Sequence, residues 1–315
     1  MVPVYNEQDS LDTLVREIRE VAAAQDYDVH LLFVDDGSTD ASWLRIKTLA
    51  EANPAIGGLR FRRNEGKAAA LMAGFAATRG DVVFTMDADL QDPPQEMPRL
   101  IERLDQGYDV VSGYKQRRLD PWHKVYPSRV FNRIIGLLTG VHLHDHVCGL
   151  KVYRRKVLPD LRIYGELHRF LGVLAAAHGH RVTEIPTLHR ARTSGVGKYG
   201  FSRFAKGFLD LITVLTLTRF RWRPQHLIGV IGLWVVVGGS LVALESLLLP
   251  SRVLSALIVP LLGVLLIAVG LVAELIVAER PLGSLYEIAE RTGWCTQQKT
   301  ASQLDPVAVS HDHEL

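Results

Sequence analysis

The sequence predicts an α/β protein: a mainly parallel sheet flanked by helices, followed by a hairpin of two membrane-spanning helices. Three observations carry this. Short apolar, β-rich runs alternate with stretches at helical spacing through the amino-terminal two thirds of the chain. The acids Asp35-Asp36 and Asp87-x-Asp89 each directly follow such a run, so they fall at the carboxyl ends of strands, where open α/β sheets hold ligands. The apolar excess behind a mean hydropathy of +0.10 gathers in residues 227–249 and 253–278, each at or above the roughly 20 residues a helix needs to cross a hydrocarbon core.

Taken in order, residues 1–4 read as the tail of a strand that breaks into the loop Tyr5-Asn6-Glu7. That strand is short, and the native chain is expected to begin ahead of Met1; no secretory leader is expected before these motif residues. Residues 10–18 follow as a helix with Leu11, Leu14, Val15 and Ile18 on one face. Residues 29–34 form a second strand running into Asp35-Asp36-Gly37-Ser38-Thr39-Asp40, and residues 58–61 a third, followed by Asn64-Glu65-Gly66-Lys67 and a small-residue helix over 68–78. Residues 81–86 deliver Asp87-Ala88-Asp89-Leu90-Gln91, then come a helix over 94–106 and a strand at 110–113. Further on, a helix starts within 165–170 with Leu171, Leu174 and Ala175 as its core face, and 181–185 is another strand. Strands alternating with helices at this spacing imply right-handed crossovers and hence parallel pairing.

Arg219, Arg221 and Arg223 precede the first span, Arg252 lies between the two, and Arg280 follows the second. This asymmetry puts the large amino-terminal portion and the tail in the cytosol, in an integral protein of a bacterial inner membrane. Glu245 and Glu274 sit near span ends, at the interface. The expected divisions are a cytosolic domain over 1–205, an amphipathic juxtamembrane helix over 206–226, the hairpin over 227–279, and a partly disordered tail over 280–315. Cys148 and Cys295 are the two cysteines, which suits a reducing compartment and provides no disulfide framework.

Two carboxylates at i, i+2 on extended backbone, Asp87 and Asp89, project to one side, and the Gln91 amide adds a third oxygen. This donor set suits Mg²⁺ or Mn²⁺ with positions left for a diphosphate; the plain alternative is a solvated acidic turn stopped by Pro93-Pro94. Residues 113–133 carry Lys115, Arg117, Arg118, Lys124, Arg129 and Arg133 against Asp120 alone, with Trp122, Tyr126 and Phe131 interleaved. Cations with amphipathic aromatics and an apolar helical face suit an anionic membrane surface; nucleic acid is the rival for such a patch, and beside two spans the membrane is favoured. His142, His144 and His146 alternate in a stretch that reads as a plain strand or loop rather than a metal site.

With Pro3-x-Tyr5-Asn6-Glu7, Asp35-Asp36-Gly37-Ser38 and Asp87-x-Asp89-x-Gln91 in this order, the chain resembles the inverting family 2 glycosyltransferases of the GT-A, Rossmann-like fold. Within them it is most similar to the polyprenol-phosphate glycosyltransferases, such as dolichol-phosphate mannosyltransferase and undecaprenyl-phosphate glucosyltransferases. The resemblance implies a sugar moved from a UDP- or GDP-linked donor to undecaprenyl or dolichyl phosphate. It places Pro3, Tyr5, Glu7 and Asp35 at the base and ribose, Lys67 beside the donor, and Asp87, Asp89 and Gln91 on the metal, with Asp89 among the catalytic residues. Arg117, Ser128 and Arg129 become candidates for holding the acceptor phosphate, the two arginines also counting as catalytic. Arg192 and Lys198, in a loop like the family's R-x-x-G-x-S-K-Y, approach the donor phosphates, although Gly197 stands where that pattern has Ser. Glu166 and His168 could bind sugar hydroxyls, or equally serve as helix-start capping and charge pairing. Asp145 and the segment Cys148-Gly149-Leu150-Lys151 resemble a stretch near the acceptor, without an assigned role.

The implied partners are the nucleotide sugar, the lipid phosphate and the bilayer, with no nucleic acid and with homo-oligomerisation left open. Three rivals are weighed. A processive polysaccharide synthase would carry Q-x-x-R-W, but Thr218 precedes Arg221-Trp222 where Gln belongs. A catalytically silent nucleotide-binding scaffold sits poorly with intact acids at every strand end. A dinucleotide oxidoreductase would need G-x-G-x-x-G after the first strand, and none follows it.

Overall fold

The computed structural model describes residues 1–115, 122–190, 202–219 and 288–294, with scattered positions between 261 and 276. It divides into two compact units, residues 1–198 together with 281–315, and residues 199–280.

In the first unit, β1 (Val2–Val4), β2 (Leu31–Asp35) and β3 (Ile56–Phe61) pair in parallel, Val4 opposite Asp35 and Asp35 opposite Arg60. β4 (Val82–Thr85), β5 (Val110–Lys115), β6 (Lys151–Arg154) and β7 (Val182–Thr187) make a second set in the order β4-β6-β5-β7. The two sets meet at Met1, whose amine donates to the Phe84 carbonyl at 2.9 Å while its own carbonyl accepts from Met86 N at 3.2 Å. These bonds lay β1 beside β4, so the strand ends carrying the acids stand side by side. The helices are α1 (Leu11–Gln25), α2 (Ser42–Ala52), α3 (Lys67–Ala77), α4 (Met97–Asp105), α5 (Trp122–Thr139) and α6 (Leu171–Ala177). α3 packs on β1 and β2, α2 on β2 and β3, and α4 on β5 and β6.

The α/β class stands, but the expected mainly parallel sheet is corrected to a mixed one. β6 runs antiparallel to both β4 and β5, whereas β5 and β7 are parallel. A further strand, β8 (Ile288–Gly293), lies in the region expected to be a tail, and pairs antiparallel with β3 at the sheet edge. Its sequence, Ile-Ala-Glu-Arg-Thr-Gly, has no apolar alternation, because an edge strand with half-exposed side chains needs none.

The core is built as the apolar periodicity requires: Leu11, Leu14, Val15 and Ile18 of α1 are all buried, as are Leu31 through Val34 of β2. α3 is a run of small side chains with Ala68, Ala69, Ala70 and Ala73 buried, which lets it sit close on the sheet. The second unit contributes α7 (Ser202–Thr218), which covers part of the expected juxtamembrane segment, and helical positions between 261 and 276. Among the described residues no helix is long and apolar enough to cross a membrane. The expected span at 227–249 lies outside the described residues, and the one at 253–278 is described only at those scattered positions.

Candidate active site

The loops after successive strands are tied to one another side by side. Asn6, which follows β1, adopts a left-handed backbone with φ 58°. Its amide N–H donates to Ser38 Oγ at 3.0 Å, and its side-chain oxygen accepts from Thr39 N at 2.8 Å. Glu7 N donates to Ser42 Oγ at 2.9 Å, so the first two loops close on each other through reciprocal bonds. In the second loop, Gly37 has φ 69° and sits so near the backbone of Arg63 that a Cβ there would come within 2.5 Å of the Arg63 carbonyl carbon. Asp36 then accepts from Glu65 N at 2.7 Å and from Gly66 N at 3.0 Å, tying the second loop to the third. Lys67, the first residue of α3, donates from Nζ to Asp87 Oδ1 at 2.6 Å, tying the third to the fourth. Four loops thus form one polar edge.

Asp87 occupies a narrow place. Gly149 leaves room for it, since a Cβ at that position would lie 2.6 Å from the Asp87 carboxyl carbon. The Gly149 carbonyl is fixed by Thr85 Oγ1 at 3.1 Å. Lys67, Asp87, Gly149, Lys151 and His168, with Pro3, line a narrow cleft. Leu90, between Asp89 and Gln91, has φ 60°, a conformation that costs a non-glycine residue about 1–3 kcal/mol and is retained where surrounding structure imposes it. Gln91 N donates to Asp89 Oδ1 at 3.2 Å, and the Gln91 carbonyl accepts from Arg190 N at 2.8 Å, so the acidic turn is braced from both sides.

The electrostatics follow from this crowding. Burial raises the Asp87 carboxyl, but the charge and hydrogen bond of Lys67, with smaller help from His168 and Lys151, more than offset it and hold Asp87 below the usual range. The Lys67 ammonium is raised in turn: burial opposes its charge, and Asp87 and Asp89 outweigh that. Both side chains keep about a third of their surface open, 32% for Lys67 and 35% for Asp87, so the pair stands at the mouth of the cleft. Burial, aided by the charges of Lys67 and Arg169, lowers the His168 imidazole to about 3, keeping it neutral. Lys151 is buried and lowered by that burial, and its Nζ donates to the carbonyls of His146 and Cys148. Burial raises the Cys148 thiol, which leaves it unreactive.

Asp35 is fully buried; its Oδ1 accepts from Ser38 N at 3.1 Å, while Oδ2 has no hydrogen-bond partner, although Arg60 Nε stands 3.3 Å away. Burial pushes this carboxyl up, against the bonds from Ser38 and the charge of Arg60. Tyr5 is exposed nearby in sequence, one residue beyond Val4, which pairs with Asp35.

Asp87, Asp89 and the Gln91 amide are hard oxygen donors on one turn, the class of donor that a divalent cation takes. Among the described residues no group of three or more His, Cys, Asp and Glu side chains gathers around a point.

The sequence-derived residues divide clearly. Pro3, Lys67 and Asp87 come together in the cleft; Asp89 and Gln91 follow Asp87 on the same loop, and Asp35 is the last residue of β2, outside the cleft lining. Glu7 is half-exposed with its backbone engaged by Ser42 and Ser10. Of Glu166 and His168, only His168 lines the cleft; Glu166 is exposed and ion-paired with Arg169. Ser128 and Arg129 lie on α5, half-buried and exposed respectively. Arg117, Arg192 and Lys198 lie outside the described residues. The three histidines diverge: His142 is exposed, His144 pairs with Glu184 and stacks on Tyr114, and His146 is buried. Lys151 also lines the cleft, and sequence reasoning assigned it no role.

Residues 1–162, just over half of the chain, match the model of glycosyl transferase family 2. The chain belongs to that family. It is a glycosyltransferase, and two solved structures share its fold. It is similar to mannosyl-3-phosphoglycerate synthase from Rubrobacter xylanophilus, at 16% identity over 70% of this chain and 72% of that one, with a TM-score of 0.53. It is also similar to glucosyl-3-phosphoglycerate synthase from Mycobacterium tuberculosis in complex with Mn²⁺, UDP-glucose and phosphoglyceric acid, at 21% identity over 69% and 77%, with a TM-score of 0.51.

Proposed function

We propose that this family 2 glycosyltransferase moves a sugar, with inversion, from a UDP- or GDP-linked donor to a polyprenyl phosphate at the cytosolic face of a membrane. The donor half rests on the cleft and, outside its lining, on the end of β2. Asp35 Oδ2 offers a buried acceptor for a base or ribose donor, and Lys67 offers a cation to the diphosphate. Asp87, Asp89 and Gln91 would hold Mg²⁺ or Mn²⁺, which supplies positive charge to the departing nucleoside diphosphate. The acceptor phosphate oxygen is anionic near neutral pH, so it needs little help from a base; orientation and charge neutralisation supply most of the acceleration.

One observation carries the lipid half. In the second unit, Leu261, Leu265, Val269, Val272 and Ile276 are helical, recur every three to four residues, and are each more than half exposed. A continuous apolar stripe open to water is unfavourable, and a bilayer removes that cost. Two further features support it. α5 exposes Val130, Leu137 and Leu138 beside Arg129 and Arg133, the mixture suited to an anionic interface. The chain returns to the first unit at β8, so segments 227–249 and 253–278, as a pair of spans, leave both flanks on one side of the membrane.

A second reading is favoured by the two similar structures, whose names specify a phosphoglycerate product or acceptor: a small soluble phosphorylated acceptor in place of the lipid. The test is incubation of the purified full chain with UDP- and GDP-sugars, Mn²⁺ or Mg²⁺, and either undecaprenyl phosphate in vesicles or 3-phosphoglycerate, with products identified by mass. A glycosylated lipid is expected. Product from 3-phosphoglycerate alone would overturn the lipid assignment and keep the donor chemistry.

A further inference from the structure

Glu290 lies on β8, far along the chain from the donor loops, yet it is joined to them. Its Oε2 accepts from Trp43 Nε1 at 2.9 Å and stands 3.6 Å from Lys47 Nζ. Its Oε1 accepts from Arg60 Nη1 at 3.4 Å. Arg60 Nη2 donates to the Ser38 carbonyl at 3.4 Å, and Arg60 Nε is 3.3 Å from Asp35 Oδ2. One guanidinium is therefore bonded to two acceptors, on the loop after β2 and on the returning strand, and is ion-paired with the buried aspartate at the end of β2.

We propose that Arg60, held in place by Glu290, is a positioning residue for Asp35, so that nucleotide binding depends on the strand the chain forms only after residues 199–280. This rests on the reading of Asp35 as a donor contact. A wholly buried carboxylate is costly unless a cation compensates it, and Arg60 supplies that charge from a side chain that is itself 31% exposed. A long, partly solvated side chain samples many rotamers; a second anion on its far side reduces that freedom. The oxygen that Arg60 steadies, Oδ2, is the one without a hydrogen-bond partner, and a ligand N–H or O–H gains more from a charged acceptor than from a neutral one. Trp43 also bonds Glu290, and its ring lies 5.9 Å from the Arg60 guanidinium carbon; Trp43→Phe removes the bond that holds α2 to β8 and keeps a ring beside the guanidinium, so it separates packing from positioning.

The experiment is calorimetric titration of UDP and GDP, with Mn²⁺, into the full chain and its variants Asp35→Asn, Arg60→Gln, Glu290→Gln, Arg60→Gln with Glu290→Gln, and Trp43→Phe. Glu290→Gln keeps an acceptor for Trp43 and loses the charge; it should weaken the nucleotide about threefold to fivefold, as a half-exposed pair allows. Arg60→Gln should weaken it about tenfold, and the double variant no more than Arg60→Gln alone, because Glu290 acts through Arg60. Donor KM should rise in the same proportions with kcat at saturating donor unchanged. Trp43→Phe should lower the melting temperature and leave nucleotide affinity at the wild-type value. If the wild type binds neither nucleotide, or Asp35→Asn binds like the wild type, the donor-site reading fails and takes this inference with it. If Asp35→Asn weakens binding while Arg60→Gln and Glu290→Gln bind like the wild type, or if the double variant shows the sum of the two single losses, the donor reading stands and the coupling is overturned.

Discussion

Lys67 Nζ lies 2.6 Å from Asp87 Oδ1, so the first residue of α3 holds the carboxylate assigned to the cation in the proposed function. On that proposal, cation and lysine would compete for that oxygen in the absence of donor and cooperate once a diphosphate is present to take the ammonium. Lys67→Met should therefore lower kcat/KM by about 10- to 100-fold, the worth of a charge-assisted hydrogen bond of about 1.5–3 kcal/mol. Mn²⁺ binding without nucleotide, followed by the paramagnetic signal of the free ion, should be unchanged or tighter. Weaker metal binding in this variant would show that Lys67 supports the cation site instead of competing with it.

Asp87→Asn keeps the shape of the side chain and removes its charge, leaving Lys67 facing a neutral amide. Turnover should fall by about a thousandfold or more with either Mg²⁺ or Mn²⁺, because charge on the leaving diphosphate is then poorly balanced. Activity near the wild-type level in a steady-state assay would remove Asp87 from the metal set.

Gly149 has no catalytic atom to contribute, yet its hydrogen is all the space beside Asp87 permits. Gly149→Ala places a methyl 2.6 Å from the Asp87 carboxyl carbon, and the carboxylate, at the open mouth of the cleft, is the group that yields. Metal affinity and kcat should drop at least tenfold while the melting temperature moves by only a few degrees. A large loss of stability with normal activity per folded molecule would mean that the backbone gives way instead.

Much of the donor edge was legible because its signals are local. An acid directly after an apolar run marks a strand end, and two such ends placed Asp35, Asp87 and Asp89 without tertiary information. The stitching was not legible: Ser38, Ser42 and Asp36 look like ligand-facing motif residues, and their hydrogen bonds to Asn6, Glu7 and Gly66 span about 30 residues of sequence. β6 escaped notice because it is four residues long and opens and closes with Lys151 and Arg154, whose buried or half-buried placement depends on the carbonyls that receive them. β8 escaped because an edge strand can be polar on both faces. The mixed sheet follows from those two strands, so the parallel expectation failed for the same reason.

His146 is buried at 1% exposure with neither ring nitrogen hydrogen-bonded, and burial, with the nearby Lys151 charge, lowers it to about 4. The folded value lies below the unfolded one of about 6.5, so between these the unfolded chain binds more protons and stability rises with pH. The contribution is fully present above about pH 6.5 and is lost as pH falls toward 4. It amounts to as much as about 3 kcal/mol, at about 1.4 kcal/mol per pH unit. His146→Leu should flatten the slope of unfolding free energy in denaturant titrations across that window. An unchanged slope would mean that His146 becomes solvated, or finds a partner, in solution.

α5 offers a separate test of the acceptor side, because Arg133 and Leu137 are exposed on one face four residues apart and neither belongs to the donor cleft. If α5 rests on an anionic surface, Arg133→Glu with Leu137→Glu replaces attraction by repulsion and removes an apolar anchor. Each basic residue near such a surface contributes about 1 kcal/mol, and a buried leucine side chain about 2 kcal/mol, so the loss should exceed tenfold in affinity for anionic vesicles. Transfer to undecaprenyl phosphate in those vesicles should fall by a similar factor and become less salt-dependent. Transfer to a short-chain, water-soluble polyprenyl phosphate should stay at the wild-type rate, since the phosphate reaches the cleft without the surface. Equal losses on both acceptors would place α5 in the chemistry of the site and not at the membrane.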